Sequence, residues 1–125
     1  MIKKKDKLES GEIKSILSEE LKIEGTVETK GKVRIDGEIV GDVSGEFIIF
    51  GSSARVKGNV KAHKVIFMGS LEGNLTAEEA EVKSTAKVRG NLYAKELSIE
   101  RGASISGEVK SGEFYSGSSP ETQSQ

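Results

Sequence analysis

The sequence repeats itself. A glycine, a polar residue and an aliphatic residue recur as Gly25-Thr26-Val27, Gly41-Asp42-Val43, Gly58-Asn59-Val60, Gly73-Asn74-Leu75, Gly90-Asn91-Leu92 and Gly107-Glu108-Val109. Successive glycines lie 16, 17, 15, 17 and 17 residues apart. A period this short and this regular restricts the chain to stacked copies of one small unit.

Each repeat has internal order. Counted from the glycine, aliphatic residues return at +2, +7, +9 and +15, often with Ala at +13. The repeat from Gly90 supplies Leu92, Leu97, Ile99, Ala103 and Ile105, and the repeat from Gly73 supplies Leu75, Ala80, Val82, Ala86 and Val88. Spacing by two is the strand period. Between pairs the phase slips, as it must where a chain turns a corner. One repeat therefore predicts three short strands joined by three bends.

A repeat of this length is too short for an α/β unit. Hairpins would need Asn-Gly or Asp-Gly turns between longer strands, and Asp36-Gly37 is the only such dipeptide. A coil satisfies the pattern. The expected fold is all-β, a parallel β-helix of about six turns stacked at about 4.8 Å, or a rod of roughly 29 Å. Composition agrees. The chain has 15 Gly, a single Pro at Pro120, no Trp and 5% aromatic residues. Such a chain can turn tightly, keeps its backbone donors, and fills a narrow bore with small side chains. Val43, Val60, Leu75, Leu92 and Val109 share position +2 and are expected to form one inward ladder.

Two repeats deviate. The one from Gly58 is short by two residues and lacks the +13 Ala, so a clipped corner is expected there. The one from Gly25 brings Val33 and Ile35 one position late, which predicts a bulge near Lys30-Gly31-Lys32. Residues 1–14 carry no repeat and are expected to be a flexible basic tail. The repeat body is expected over 15–115, and Leu8–Leu21, which could be read as a helix from Ile13, Ile16, Leu17 and Glu20, is expected instead to supply an entry strand leading into Leu21-Lys22-Ile23. Residues 116–125 end in Gly-Ser-Ser-Pro-Glu-Thr-Gln-Ser-Gln, a composition expected to be disordered.

Little in the sequence suggests catalysis. His63 is the only histidine; beside Lys64 at an expected corner, it reads as a solvated surface residue. Glu78, Glu79 and Glu81 cluster, but alternating charge usually marks an exposed strand face. A P-loop or dinucleotide fingerprint is absent. The left-handed hexapeptide acyltransferase fold needs a period in multiples of six, which gaps of 17 do not fit. Lys and Arg number 19 against 20 Asp and Glu, unlike a basic nucleic-acid binder. With no Cys, there is no thiolate metal site. No apolar run is long enough for a membrane span and Met1–Leu8 leads into no apolar segment, so a cytoplasmic location is expected. Minimal coils without insertions leave function to the ends, the faces and the tails.

The body from Ser15 to Gly112 resembles the bactofilins, a family of bacterial cytoskeletal proteins. The resemblance is carried by Leu21-Lys22-Ile23-Glu24-Gly25, by Val33-Arg34-Ile35-Asp36-Gly37-Glu38-Ile39-Val40-Gly41-Asp42-Val43 and by the Gly-Asn-Val/Leu turns. It implies a right-handed β-helix that assembles end to end, without nucleotide or other cofactor, into nonpolar filaments. It implies a scaffold at the inner face of the cytoplasmic membrane, acting in cell shape, with cell-wall hydrolases or synthases as partners. It also implies an N-terminal membrane-targeting stretch, which Met1, Ile2, Lys3, Lys4, Lys5 and Lys7 resemble, with Ile2 where Phe is frequent.

Physics points the same way. A coil exposes unpaired backbone and apolar residues at its first and last turns, and no capping helix is evident in the sequence. Phe114, Tyr115 and Val109 at one end, and Leu21 and Ile23 at the other, are the expected assembly residues. The rival reading is a monomeric solenoid that displays a charged face to a protein partner.

Overall fold

Parallel strands wind into a solenoid of six stacked turns followed by one last strand. The computed structural model describes the backbone of residues 15–116 and the side chains of residues 15–112. The first two turns hold β1 (Ser15–Leu17), β2 (Lys22–Glu24), β3 (Val27–Glu28), β4 (Lys32–Ile35) and β5 (Glu38–Val40). The third and fourth hold β6 (Val43–Phe50), β7 (Arg55–Lys57), β8 (Val60–Phe67) and β9 (Ser70–Glu72). The fifth and sixth hold β10 (Leu75–Val82), β11 (Lys87–Arg89), β12 (Leu92–Ile99) and β13 (Ser104–Ser106), and β14 (Val109–Ser116) closes the stack. The described residues contain no helix, and Glu78–Val88 divides between β10 and β11.

Two sheets result. One runs β1-β4-β6-β8-β10-β12-β14, with β3 beside β6; the other runs β2-β5-β7-β9-β11-β13. The first two of the three expected strands form one continuous ribbon. In β10 the inward residues are Leu75 and Ala77, then Ala80 and Val82, so the phase slips inside the strand. Pairing between turns skips the residue at the slip, as at Glu46, His63, Glu78 and Lys95. One unpaired residue absorbs the bend, and hydrogen bonding continues on both sides of it. The ribbon is bent in the middle, so the two sheets present three faces.

The repeating glycine marks the corner where the second sheet returns to the first. Gly41, Gly58, Gly73, Gly90 and Gly107 have φ between +144 and +147 or at +143. A Cβ on any of these five would overlap the carbonyl of the corner glycine one turn below. Both the left-handed backbone and the close approach require Gly.

The opposite corner comes in two lengths. Long turns, such as Gly51–Ala54 and Lys83–Ala86, close with a bond from the N–H of the fourth residue to the carbonyl of the first. Clipped turns at Asp36-Gly37 and Met68-Gly69 have two residues between the flanking strands, the second being the expected clipped corner. The carbonyls of Asp36 and Met68 are satisfied from the next turn, by the hydroxyls of Ser53 at 2.8 Å and Thr85 at 2.7 Å. The expected bulge lies between β3 and β4, where Gly31 has φ +76. Four steps from Glu28 to Lys32 face three from Ser44 to Phe47.

The core is a set of vertical columns. Val43, Val60, Leu75, Leu92 and Val109 pair in register from turn to turn. An inward column at +4 carries only small residues: Gly45, Ala62, Ala77, Ala94 and Ser111. Gly45 is the smallest because the Thr29 hydroxyl occupies the place of its Cβ. Phe50 and Phe67, the largest fully buried side chains, pack with ring centroids 5.0 Å apart.

Candidate assembly interface

The core columns end abruptly at both ends of the stack. At position +2, Leu92 is 0% exposed and Val43 is 1% exposed. Val109 above and Val27 below occupy the same column yet are only partly buried. Ile39 and Val88 are buried, whereas Ile23 and Ile105, which end their column, are partly buried. Leu17 ends the column of Ile35 and Phe50 in the same way. Each side chain is similar in character to its buried neighbours and, among the described residues, lacks a covering turn.

Sheet edges coincide with these apolar ends. β14 and β13 are the last strands of their sheets at one end, and β1 and β2 at the other. Among the described residues each is paired on one side only, which leaves a row of backbone donors and acceptors facing along the rod axis. Leu21 adds to the first end. Its column continues as Gly37, Ala54, Gly69, Ala86 and Ala103, through bonds from each following N–H. Only tiny side chains fit inside this column; Leu21, at its end, is 49% exposed.

The expected site residues fall as follows. Leu21 lies in the turn between β1 and β2, Ile23 lies in β2, and Val109 opens β14. Phe114 and Tyr115 lie on β14, in backbone register with Leu97 and Ser98. Met1, Ile2, Lys3, Lys4, Lys5 and Lys7 lie outside the described residues, as do the rest of both expected tails apart from Ser116, which closes β14. Leu17, Val27, Ala103 and Ile105 belong to the ends as well. The repeat alignment places Val27 at +2, Ala103 at +13 and Ile105 at +15, so this signal was present in the sequence.

Away from the ends, few of the surface groups are arranged for chemistry. His63 is exposed at the ribbon bend. Among the described residues, no group of His, Cys, Asp and Glu is arranged to hold a metal ion. Glu81 and Glu100 flank Lys83 at 3.2 and 3.4 Å. The bond to Glu81 raises the Lys83 ammonium above its ordinary value against the opposing effect of desolvation, and Glu100 adds to the rise. Asp36 does the same for Arg34, with Nε–Oδ2 at 2.9 Å. Among the described residues, no helix is long and apolar enough to cross a membrane.

Comparison with known proteins places this architecture. Residues 15–110 match the family model for bactofilin, described as polymer-forming cytoskeletal. The cytoskeletal bactofilin BacA, determined by solid-state NMR, is 32% identical, with a TM-score of 0.71 over 77% of this chain and 93% of that one. The bactofilin of Thermus thermophilus, reconstructed by cryo-EM as double helical filaments, is 36% identical, with a TM-score of 0.73 over 78% of this chain and 99% of that one. A search of curated proteins returned no match. The family match spans the whole solenoid, from β1 into β14, and the chain belongs to the bactofilin family of polymer-forming cytoskeletal proteins.

Proposed function

We propose that this chain polymerises end to end through its two uncovered end turns, without nucleotide, into nonpolar filaments. These filaments act as a scaffold at the inner face of the cytoplasmic membrane and serve cell shape or cell-wall organisation. The observation that carries the reading is the contrast within single columns: buried at Leu92 and Val88, partly exposed at Val109 and Ile105.

Magnitudes favour a whole-turn joint. Fully burying one aliphatic side chain contributes about 1.5–3 kcal/mol. Association costs about 4–15 kcal/mol in lost freedom. One residue cannot drive it, whereas an end turn with several aliphatic residues and an open strand edge can. The membrane role draws on the four lysines against one aspartate in Met1–Lys7. Cell-wall hydrolases or synthases are the partners such a scaffold would position.

Negative-stain microscopy of the purified protein, with and without added nucleotide, tests the reading. Filaments of equal length in both samples are expected. A monodisperse monomer at all salt concentrations would instead support a solitary binding module.

A further inference from the structure

One lateral face of the solenoid is amphipathic along its length. It is the outer surface of the second half of the bent ribbon, where two outward columns run side by side. The first reads Lys32, Phe47, Lys64, Glu79, Glu96; the second reads Arg34, Ile49, Ile66, Glu81, Ser98. Phe47, Ile49 and Ile66 are half-buried and lie on adjacent turns at the middle. Basic residues lie on the N-terminal side and acidic residues on the C-terminal side. Lys32 and Lys64 sit over the Phe47 ring, at 4.7 and 5.2 Å from its centroid. Lys64 reaches Glu79 and Glu81 at 4.0 Å each.

The Thermus thermophilus bactofilin forms double helical filaments; resting on the polymer reading above, we propose that in this chain this face makes the side-by-side contact, by binding the same face of a second copy turned end for end. The order of residues selects the orientation. Place a two-fold axis along the strand direction, midway between β6 and β8. Each column then faces itself in reverse. Ile49 meets Ile66 of the other copy, Phe47 meets Lys64, Lys32 meets Glu79 and Arg34 meets Glu81. Apolar residues meet at the centre, a lysine meets an aromatic face, and opposite charges meet on the flanks. Arg34 uses Nε and one terminal nitrogen on Asp36 and keeps further donors for a carboxylate.

A two-fold axis along the rod gives the opposite outcome. Each turn then faces itself, with Lys32 against Arg34 and Glu79 against Glu81. Like charges would oppose on two turns, which disfavours that arrangement. The four turns involved cover only about 19 Å of rod. A specific interface usually needs about 800 Å² per partner, more than so short a strip supplies. One contact is therefore weak, and repetition along a filament multiplies it.

Cysteine crosslinking tests the pairing, because the chain contains no Cys. Ile49→Cys and Ile66→Cys proteins are prepared separately, mixed under assembly conditions and oxidised. The mixture is expected to give roughly tenfold more covalent dimer than either variant alone. Equal yields in all three samples, or no dimer in any, would overturn the proposal. Charge reversal gives a second arm. Lys32→Glu and Glu79→Lys should each reduce paired filaments about tenfold, and the double variant should restore them. These residues lie three turns apart, about 14 Å within one copy, too far for an internal pair to account for rescue. A double variant no better than the singles would also overturn the proposal. Dimer is scored on a denaturing gel and filaments by microscopy, so failure of the end joint and failure of the lateral face are distinguishable.

Discussion

The backbone N–H of Asn91 donates to the side-chain oxygen of Asn74, one turn below, at 3.2 Å. The same bond links Asn59 to Asp42, Asn74 to Asn59 and Glu108 to Asn91, each at 3.1 Å. It satisfies an N–H just beyond the corner glycine, where the strand ladder has not yet resumed. Asn74→Ala should cost about 0.5–1.5 kcal/mol. Asn74→Asp keeps the acceptor, as Asp42 does naturally, and should lie nearer the wild type. Thermal unfolding by circular dichroism ranks the three; Asp as damaging as Ala would argue against the ladder.

Corner glycines should differ in sensitivity along the rod. At Gly90 an added Cβ meets both a left-handed backbone and the Gly73 carbonyl. Gly90→Ala is expected to abolish soluble folded protein. Gly25 has φ +128, but none of the described residues comes within 4 Å of an added Cβ. Gly25→Ala carries only the backbone strain, on the order of 1–2 kcal/mol. Chemical denaturation of the two variants measures the contrast, and equal losses would contradict it.

Position along one column should decide what a charge does. Leu92→Asp buries a carboxylate among apolar neighbours and should unfold the chain. Val109→Asp lies in the same column with no described turn above it. It should leave a folded monomer that does not assemble. Size-exclusion chromatography with circular dichroism separates the outcomes; an unfolded Val109→Asp would show that this position is not a free end.

How much was legible follows from what repetition encodes. The +2 column is visible because Val and Leu recur beside a marked glycine. The bulge after Lys30 and the clipped corner at Met68-Gly69 are visible because a missing or extra residue breaks an otherwise fixed count. The continuous ribbon was not, because a one-residue bend at Glu78 looks, in sequence, like any other phase slip. The +4 column escaped notice because Gly45, Ala62 and Ser111 are too small to signal burial. The lateral face escaped as well: Phe47, Ile49 and Ile66 sit at outward positions, and a pattern search aimed at the core passes over apolar residues there.

The amino-terminal tail gives a further test. Residues Met1–Lys7 carry four lysines and one aspartate, and each basic residue near an anionic surface contributes about 1 kcal/mol. One tail should bind weakly, and a filament presenting many should bind far more tightly. Co-sedimentation with anionic liposomes should therefore fall sharply when Met1–Lys7 are removed. Equal binding by both proteins would reject the tail as the membrane contact.

End-to-end assembly is tested most directly at Phe114. Its backbone stands in register with Leu97, a buried residue, on the last strand of the sheet. Burial of a Phe contributes roughly 2–3 kcal/mol, and a second copy's end turn is the cover we assign to it. Phe114→Arg would bring like charges together across a two-fold joint. Negative-stain microscopy of this variant, beside circular dichroism, should show folded protein and no filaments. Folded Phe114→Arg protein that still grows filaments of wild-type length would contradict the carboxy-terminal joint.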